Sequence, residues 1–233
     1  MTGVAIIEPD PAALARRLAQ WLVERIGATE RPLRLAISGG STPRPLYRLL
    51  AAERRIDWAR LEIFWSDERF VPHDHPDSNY RMANEEWLSH VDIPNQNIHP
   101  ISTDTDPDDC ARRYEATLKS VYGADALDPT RPLFDIALLG LGPDGHTASL
   151  LPGQPVLDER ARWVAPVMKG RSEPRITLTY PALESSGCVV FLVAGADKRD
   201  AVRRARAGDE SLPAGRLHPQ HEMIWFLDSA AAG

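Results

Sequence analysis

The sequence predicts an α/β fold: a mostly parallel sheet with helices on both faces, forming one Rossmann-like domain. Three observations lead there. Short apolar runs alternate with stretches of helical period along the chain. Phe134 to Leu139, apolar but for Asp135, reads as a strand covered on both sides. No Gly-, Ser- or Pro-rich linker divides the 233 residues, and single cores grow to about 250–300 residues before splitting, so one domain spanning residues 1–233 is expected.

The elements follow in order. Asp10 caps a helix that Pro11 opens, with Leu14, Leu18, Trp21, Leu22 and Ile26 on one face and Gly27 at its end. Leu33 to Ile37 is a strand, and Ser38-Gly39-Gly40-Ser41-Thr42-Pro43 turns it into a helix carrying Leu46, Tyr47, Leu49 and Leu50. Leu61 to Trp65 is a strand followed by a polar loop with Asp67, Glu68 and Arg69. Helices are expected from about Ser78 and from Asp106-Pro107. Asp125 to Pro132 reads as a loop. Further strands are expected at Trp163–Val167, Arg175–Thr179, Cys188–Val193 and Met223–Leu227, with a helix from Asp197 to about Ala207. Trp21, Trp87, Trp163 and Trp225 lie in apolar patterns and read as core.

Composition removes several classes. Gly and Pro (15 and 20 residues) follow no period, which excludes collagen-like chains. No apolar run approaches the roughly 18–20 residues of a membrane span. Met1 to Asp10 shows neither a basic flank nor a cleavable apolar stretch, and the two cysteines, Cys110 and Cys188, read as buried free thiols. A cytoplasmic protein is expected. The formal charge of −6 argues against broad nucleic-acid binding, which needs a basic face, but leaves room for an anionic small molecule held by local cations and backbone N–H groups.

The residues with chemistry fall just after strands: Ser38–Thr42, Asp67–Arg69, Asp144–His146 and Lys198. Ligands of open parallel sheets bind beyond the carboxyl ends of the strands, so one shared crevice is expected. In Ser38-Gly39-Gly40-Ser41-Thr42, the glycines admit close backbone approach and the hydroxyls add donors, suiting an anion. The bland alternative is a strand-to-helix turn with Ser41 or Thr42 as the cap. No Gly-Lys-Ser/Thr follows, so it is not a Walker loop. Ala36-Ile37-Ser38-Gly39-Gly40 also approaches a nucleophile elbow, which would make Ser38 an esterase nucleophile, but Ala stands where Gly is normal.

Gly140-Leu141-Gly142-Pro143-Asp144-Gly145 spells the dinucleotide fingerprint, yet Pro152-Gly153 leaves no room for the long helix that motif requires. Asp144-Gly145-His146 is the sharper reading. An unperturbed imidazole, pKa near ~6.5, accepts a proton at neutral pH, and a neighbouring carboxylate orients it; the alternative is a loop histidine bonded to backbone. Asp67-Glu68-Arg69 reads first as a solvated loop, although Arg69 suits a phosphate or developing oxyanion. His73, His75, His218 and His221 match no metal-ligand spacing, so no metal is expected.

Together these segments resemble the 6-phosphogluconolactonase family nearly end to end. The resemblance runs through Leu35–Pro43, Trp65–Arg69, His75–Tyr80, Asn97–Pro100, Gly140–Leu150, Arg175–Thr179 and Gly195–Lys198, in family order. It implies a fold akin to glucosamine-6-phosphate deaminases and ribose-5-phosphate isomerases, and hydrolysis of 6-phospho-D-glucono-1,5-lactone without metal or organic cofactor. It further implies that His146 is the general base, Asp144 holds its ring, and Arg69, with Asp67, stands near the reacting end or the sugar hydroxyls. Gly39, Gly40, Ser41, Thr42, Arg175 and Lys198 would hold the phosphate. A small sugar phosphate would be the sole partner, with no nucleic acid, no membrane and a monomeric chain. The rival within the fold, glucosamine-6-phosphate deaminase, normally has Tyr at Arg69 and Gly-Phe-Asn-Glu where this chain has Thr147-Ala148-Ser149-Leu150.

Overall fold

A computed structural model of the chain describes residues 3–233. In chain order the elements are β1 (Val4–Glu8), α1 (Pro11–Gly27), β2 (Leu33–Ile37), α2 (Arg44–Ala51), β3 (Leu61–Trp65), β4 (Asp67–Arg69), α3 (Asn79–Glu86), β5 (Ile98–His99) and α4 (Pro107–Tyr122). They continue as β6 (Phe134–Leu139), β7 (Val164–Val167), β8 (Arg175–Leu178), α5 (Tyr180–Glu184), β9 (Ser186–Val193), α6 (Arg199–Arg206), β10 (Glu222–Asp228) and α7 (Ser229–Ala232).

Among the described residues, seven strands form a sheet in the order β1-β10-β9-β6-β2-β3-β5, and every neighbouring pair is parallel. From β1 through β5 the chain moves across this sheet in one direction. After β5 it steps back to β6, then to β9 and β10 in the other. Crossovers between parallel strands are right-handed, so α1, α2 and α3 cover one face while α4 and α6 cover the opposite one. Contacts between α1 and α2 and between α2 and α3 fit that layering. The direction changes between adjacent β2 and β6, so the connections leaving their carboxyl ends part to opposite faces and open a crevice there.

The apolar stripe expected on α1 is buried: Leu14, Leu18, Leu22 and Ile26 are at most 3% exposed. Asp10 caps this helix through Ala13 N at 2.8 Å. The four tryptophans expected in the core are buried there, Trp21 edge-on to Phe226 at 5.8 Å. Cys110 and Cys188 are buried free thiols. No helix among the described residues is long and apolar enough to cross a membrane.

Two expectations need correction, and two strands were not anticipated. Trp163–Val167 and Arg175–Thr179 do not join the main sheet. As β7 and β8 they pair antiparallel with each other and with β4, making a separate three-stranded sheet. Apolar content marks such segments as strands but not which neighbour they pair with. Asp67–Arg69 is strand β4, not a solvated loop: Asp67 and Glu68 are 5% and 1% exposed. Glu68 accepts from the backbone N–H groups of Arg69, Asn79 and Tyr80 at 2.7–2.8 Å and from the Ser78 hydroxyl at 3.1 Å, tying β4 to the start of α3. Finally, the strands β1 and β5 at the sheet edges fall in segments for which the sequence reading named no element. β5 has only two residues, and each of these edge strands pairs with a single neighbour.

Candidate active site

The loops leaving β2 and β6, together with β4, β8 and the turn before α6, surround a cleft of about 230 Å³. Ser38, Gly39, Gly40, Ser41 and Thr42 form the wall contributed by β2. Neither hydroxyl residue caps α2: its cap position is Pro43, with no side-chain bond. The Ser38 carbonyl accepts from the buried Tyr47 hydroxyl at 2.6 Å, which fixes the loop where it leaves the strand. Gly39 must lack a side chain, because a Cβ there would lie 1.7 Å from Asn79 Oδ1. Asn79 in turn donates to the Asp67 carbonyl at 2.9 Å, so α3 buttresses both walls.

The wall from β6 holds the histidine. Gly142 N–H donates to the His146 carbonyl at 2.9 Å and Gly145 N–H to the Gly142 carbonyl at 3.0 Å, closing a tight turn. His146 Nδ1 lies 2.5 Å from Asp144 Oδ1. The carboxylate can only accept, so Nδ1 carries a proton, and in the neutral ring the lone pair is on Nε2. The ring lies directly over Gly142, where a Cβ would sit 2.0 Å from Nδ1. Burial works against the Asp144 charge, but hydrogen bonds from Arg171 and His146 prevail and hold its carboxyl well below the usual carboxylate range. After Gly145 the chain makes a Thr147–Leu150 bridge instead of a helix, which removes the structural context of a dinucleotide site.

The remaining expected residues also line the cleft: Asp67 and Arg69 from β4, Arg175 from β8, and Lys198 from the turn before α6. Asp67 accepts from the Ser149 hydroxyl at 2.6 Å. Arg69 and Arg175 are direct partners in the antiparallel pair, so their stems stand side by side on one face. Arg69 donates to the Asp77 carbonyl at 2.8 Å, and Arg175 to Glu173 at 3.2 Å. The Nε atoms of both arginines are buried without a partner. Burial pushes the Arg175 guanidinium down from its ordinary value and the Arg69 charge adds to that, while Asp67 opposes it. Lys198 pairs with Asp197 at 3.0 Å. Three cationic side chains and one carboxylate, Asp67, thus line the cleft of a chain whose net charge is −6. Such a site gains from an anion.

Sequence reasoning passed over Asn79 and Arg171. Asn79 stood inside a segment of the family resemblance and signalled its position there. Arg171, 25 residues from His146 in the β7–β8 connection, carried no local signal. His73 Nε2 donates to the Ile101 carbonyl at 2.8 Å, and His75 Nδ1 accepts from the Asp77 N–H at 3.2 Å.

A family model described as glucosamine-6-phosphate isomerases/6-phosphogluconolactonase matches residues 9–225. The chain is 40% identical over 230 residues to a 6-phosphogluconolactonase of Nostoc, covering 96% of this chain and 94% of that one. To a 6-phosphogluconolactonase of Synechocystis it is 42% identical, covering 97% and 92%. The crystal structure of 6-phosphogluconolactonase from Thermotoga maritima superposes with a TM-score of 0.84 at 30% identity, over 97% and 99% of the two chains. By sequence and by fold, the chain belongs to the glucosamine-6-phosphate isomerase/6-phosphogluconolactonase family.

Proposed function

We propose that this chain hydrolyses 6-phospho-D-glucono-1,5-lactone to 6-phosphogluconate, with His146 as general base. The observation that carries the reading is a single one: an imidazole with Nδ1 committed to Asp144 faces the same cleft as Arg69, Arg175 and Lys198. The names of the relatives support the substrate.

In the proposed reaction Nε2 of His146 takes a proton from a water molecule as its oxygen attacks the lactone carbonyl. The carbonyl electrons move to oxygen, and the resulting oxyanion is stabilised by cationic and N–H donors of the cleft. On collapse the bond to the ring oxygen breaks, and the imidazolium returns its proton to that oxygen. Water is consumed, the ring opens, and the new carboxyl group ionises. A positioned base contributes about 10²–10⁴ in rate, enough for an activated ester without a covalent nucleophile.

The Gly39–Thr42 loop, Arg175 and Lys198 take the phosphate in this reading, and Arg69 with Asp67 serves the reacting end or the hydroxyls. Since Arg69 and Arg175 rise side by side, the division between them depends on how their guanidinium groups diverge along the cleft. One chain supplies every group invoked, and the proposal is for a monomer acting without metal or organic cofactor.

The test is a pH-stat assay on freshly generated phosphogluconolactone. His146→Ala is expected to lower kcat by about 10²–10⁴ with little change in KM. Parental turnover in that variant would end the assignment. Full loss in Ser38→Ala, together with covalent labelling of Ser38, would replace it with an esterase mechanism. Glucosamine 6-phosphate is expected to release no ammonia.

A further inference from the structure

Arg171 lies outside the motifs and outside the cleft lining, yet it is anchored on the catalytic pair. One of its terminal nitrogens donates to the carbonyl of Gly170 at 3.0 Å. The other, Nη2, donates to Asp144 Oδ2 at 2.8 Å and sits 3.2 Å from His146 Nδ1. With the Nδ1 proton directed to Asp144 Oδ1, the second contact is not a hydrogen bond: two N–H donors cannot bond to one another. It is instead a fixed positive charge held against the ring. Asp144 is therefore divided, one oxygen on the imidazole and the other on the guanidinium.

We propose that Arg171 is a positioning residue that clamps Asp144 and, by its charge, keeps the His146 imidazole in its neutral, proton-accepting form to lower pH than Asp144 alone would allow. This deepens the reading of His146 as the base and rests on it. Two effects point the same way. A neighbouring cation disfavours the imidazolium directly, and a carboxylate already bonded to a guanidinium has less charge to offer it. The clamp also removes the freedom of the carboxylate to swing away from Nδ1, keeping the Nε2 lone pair aimed at the cleft.

The other groups around the ring do not duplicate this. Asp144 comes from the same turn. Asp67 and Arg69 from β4, Arg175 from β8 and Lys198 from the turn before α6 share the cleft with His146. The remaining segment against the turn presents Leu212, which packs on Gly145 and carries no charge. All of these stay in place when Arg171 alone is changed.

The experiment compares the parent with Arg171→Met and Arg171→Lys in two measurements. The first follows the His146 ring protons by NMR against pH without substrate; the second follows kcat/KM against pH on the phosphorylated lactone. In Arg171→Met the His146 midpoint is expected to rise by about half to one pH unit, and the acid limb of kcat/KM to move with it. Arg171→Lys is expected to recover most of that shift, while KM changes little in either variant. Superimposed titrations of parent and Arg171→Met would overturn the proposal, and so would an equal rise in the lysine variant. If the midpoint moves but hydrolysis ignores the ionisation, the role of Arg171 stands and the reading of His146 as base fails.

Discussion

Asp144 and His146 sit two residues apart, and the consequence of that spacing is chemical: the near oxygen of the carboxylate accepts from both the ring and the backbone N–H of His146. The carboxyl is held below its ordinary range, so its charge persists as pH falls through about 3.9 and is lost only at lower pH. Across the neutral range it does not titrate. We therefore expect a single ionisation, that of the imidazole, to govern the acid side of the pH profile, with kcat/KM falling about tenfold per unit below its midpoint and levelling above it. A flat profile between pH 5 and 8 contradicts this. In the proposed reading Lys198 holds the phosphate rather than the reacting end. Losing one charge-assisted contact costs about 1.5–3 kcal/mol, so Lys198→Ala is expected to raise KM about ten- to hundredfold with kcat nearly unchanged. Steady-state kinetics decide it, and an unchanged KM would falsify the phosphate role.

At the scale of elements, the site depends on how tightly its turns approach their neighbours. The His146 ring rests on the bare backbone of Gly142, with no space for a methyl group. We expect Gly142→Ala to displace the ring and lower kcat at least about tenfold, at a folding cost of about 1–3 kcal/mol from overpacking. Thermal unfolding beside kinetics separates the two effects, and parental kcat in a folded variant would show the seat to be unnecessary. The sequence carried the turn's residue types and its place after a strand, because glycines beside a histidine are a local signal. It did not carry β4. Charged residues in a row read as solvated, and only the partners brought by the fold, Ser78, Asn79 and Tyr80 on Glu68 and Ser149 on Asp67, make burial of that segment tolerable.

Across the whole molecule, the cleft lies where β2 and β6 diverge to opposite faces, so its two principal walls come from neighbouring strands of one sheet. In the proposed reading one chain supplies every group the reaction needs, with β4, β8 and the turn before α6 completing the cleft, so we expect specific activity to be constant across protein concentrations and sedimentation to show a single-chain species. Activity that falls on dilution would mean a second copy completes the site. From its sequence alone this chain specified the α/β class, most helices and central strands, and most of the polar residues that meet in the cleft. Hydrophobic period, helix caps and glycine turns are short-range signals that survive without a partner. The separate antiparallel sheet, the opposition of Arg69 and Arg175, the burial of Glu68 and the reach of Arg171 to Asp144 were settled by tertiary structure. Each joins segments far apart in the chain, and the free energy of such a contact belongs to the pair, so neither local sequence contains it.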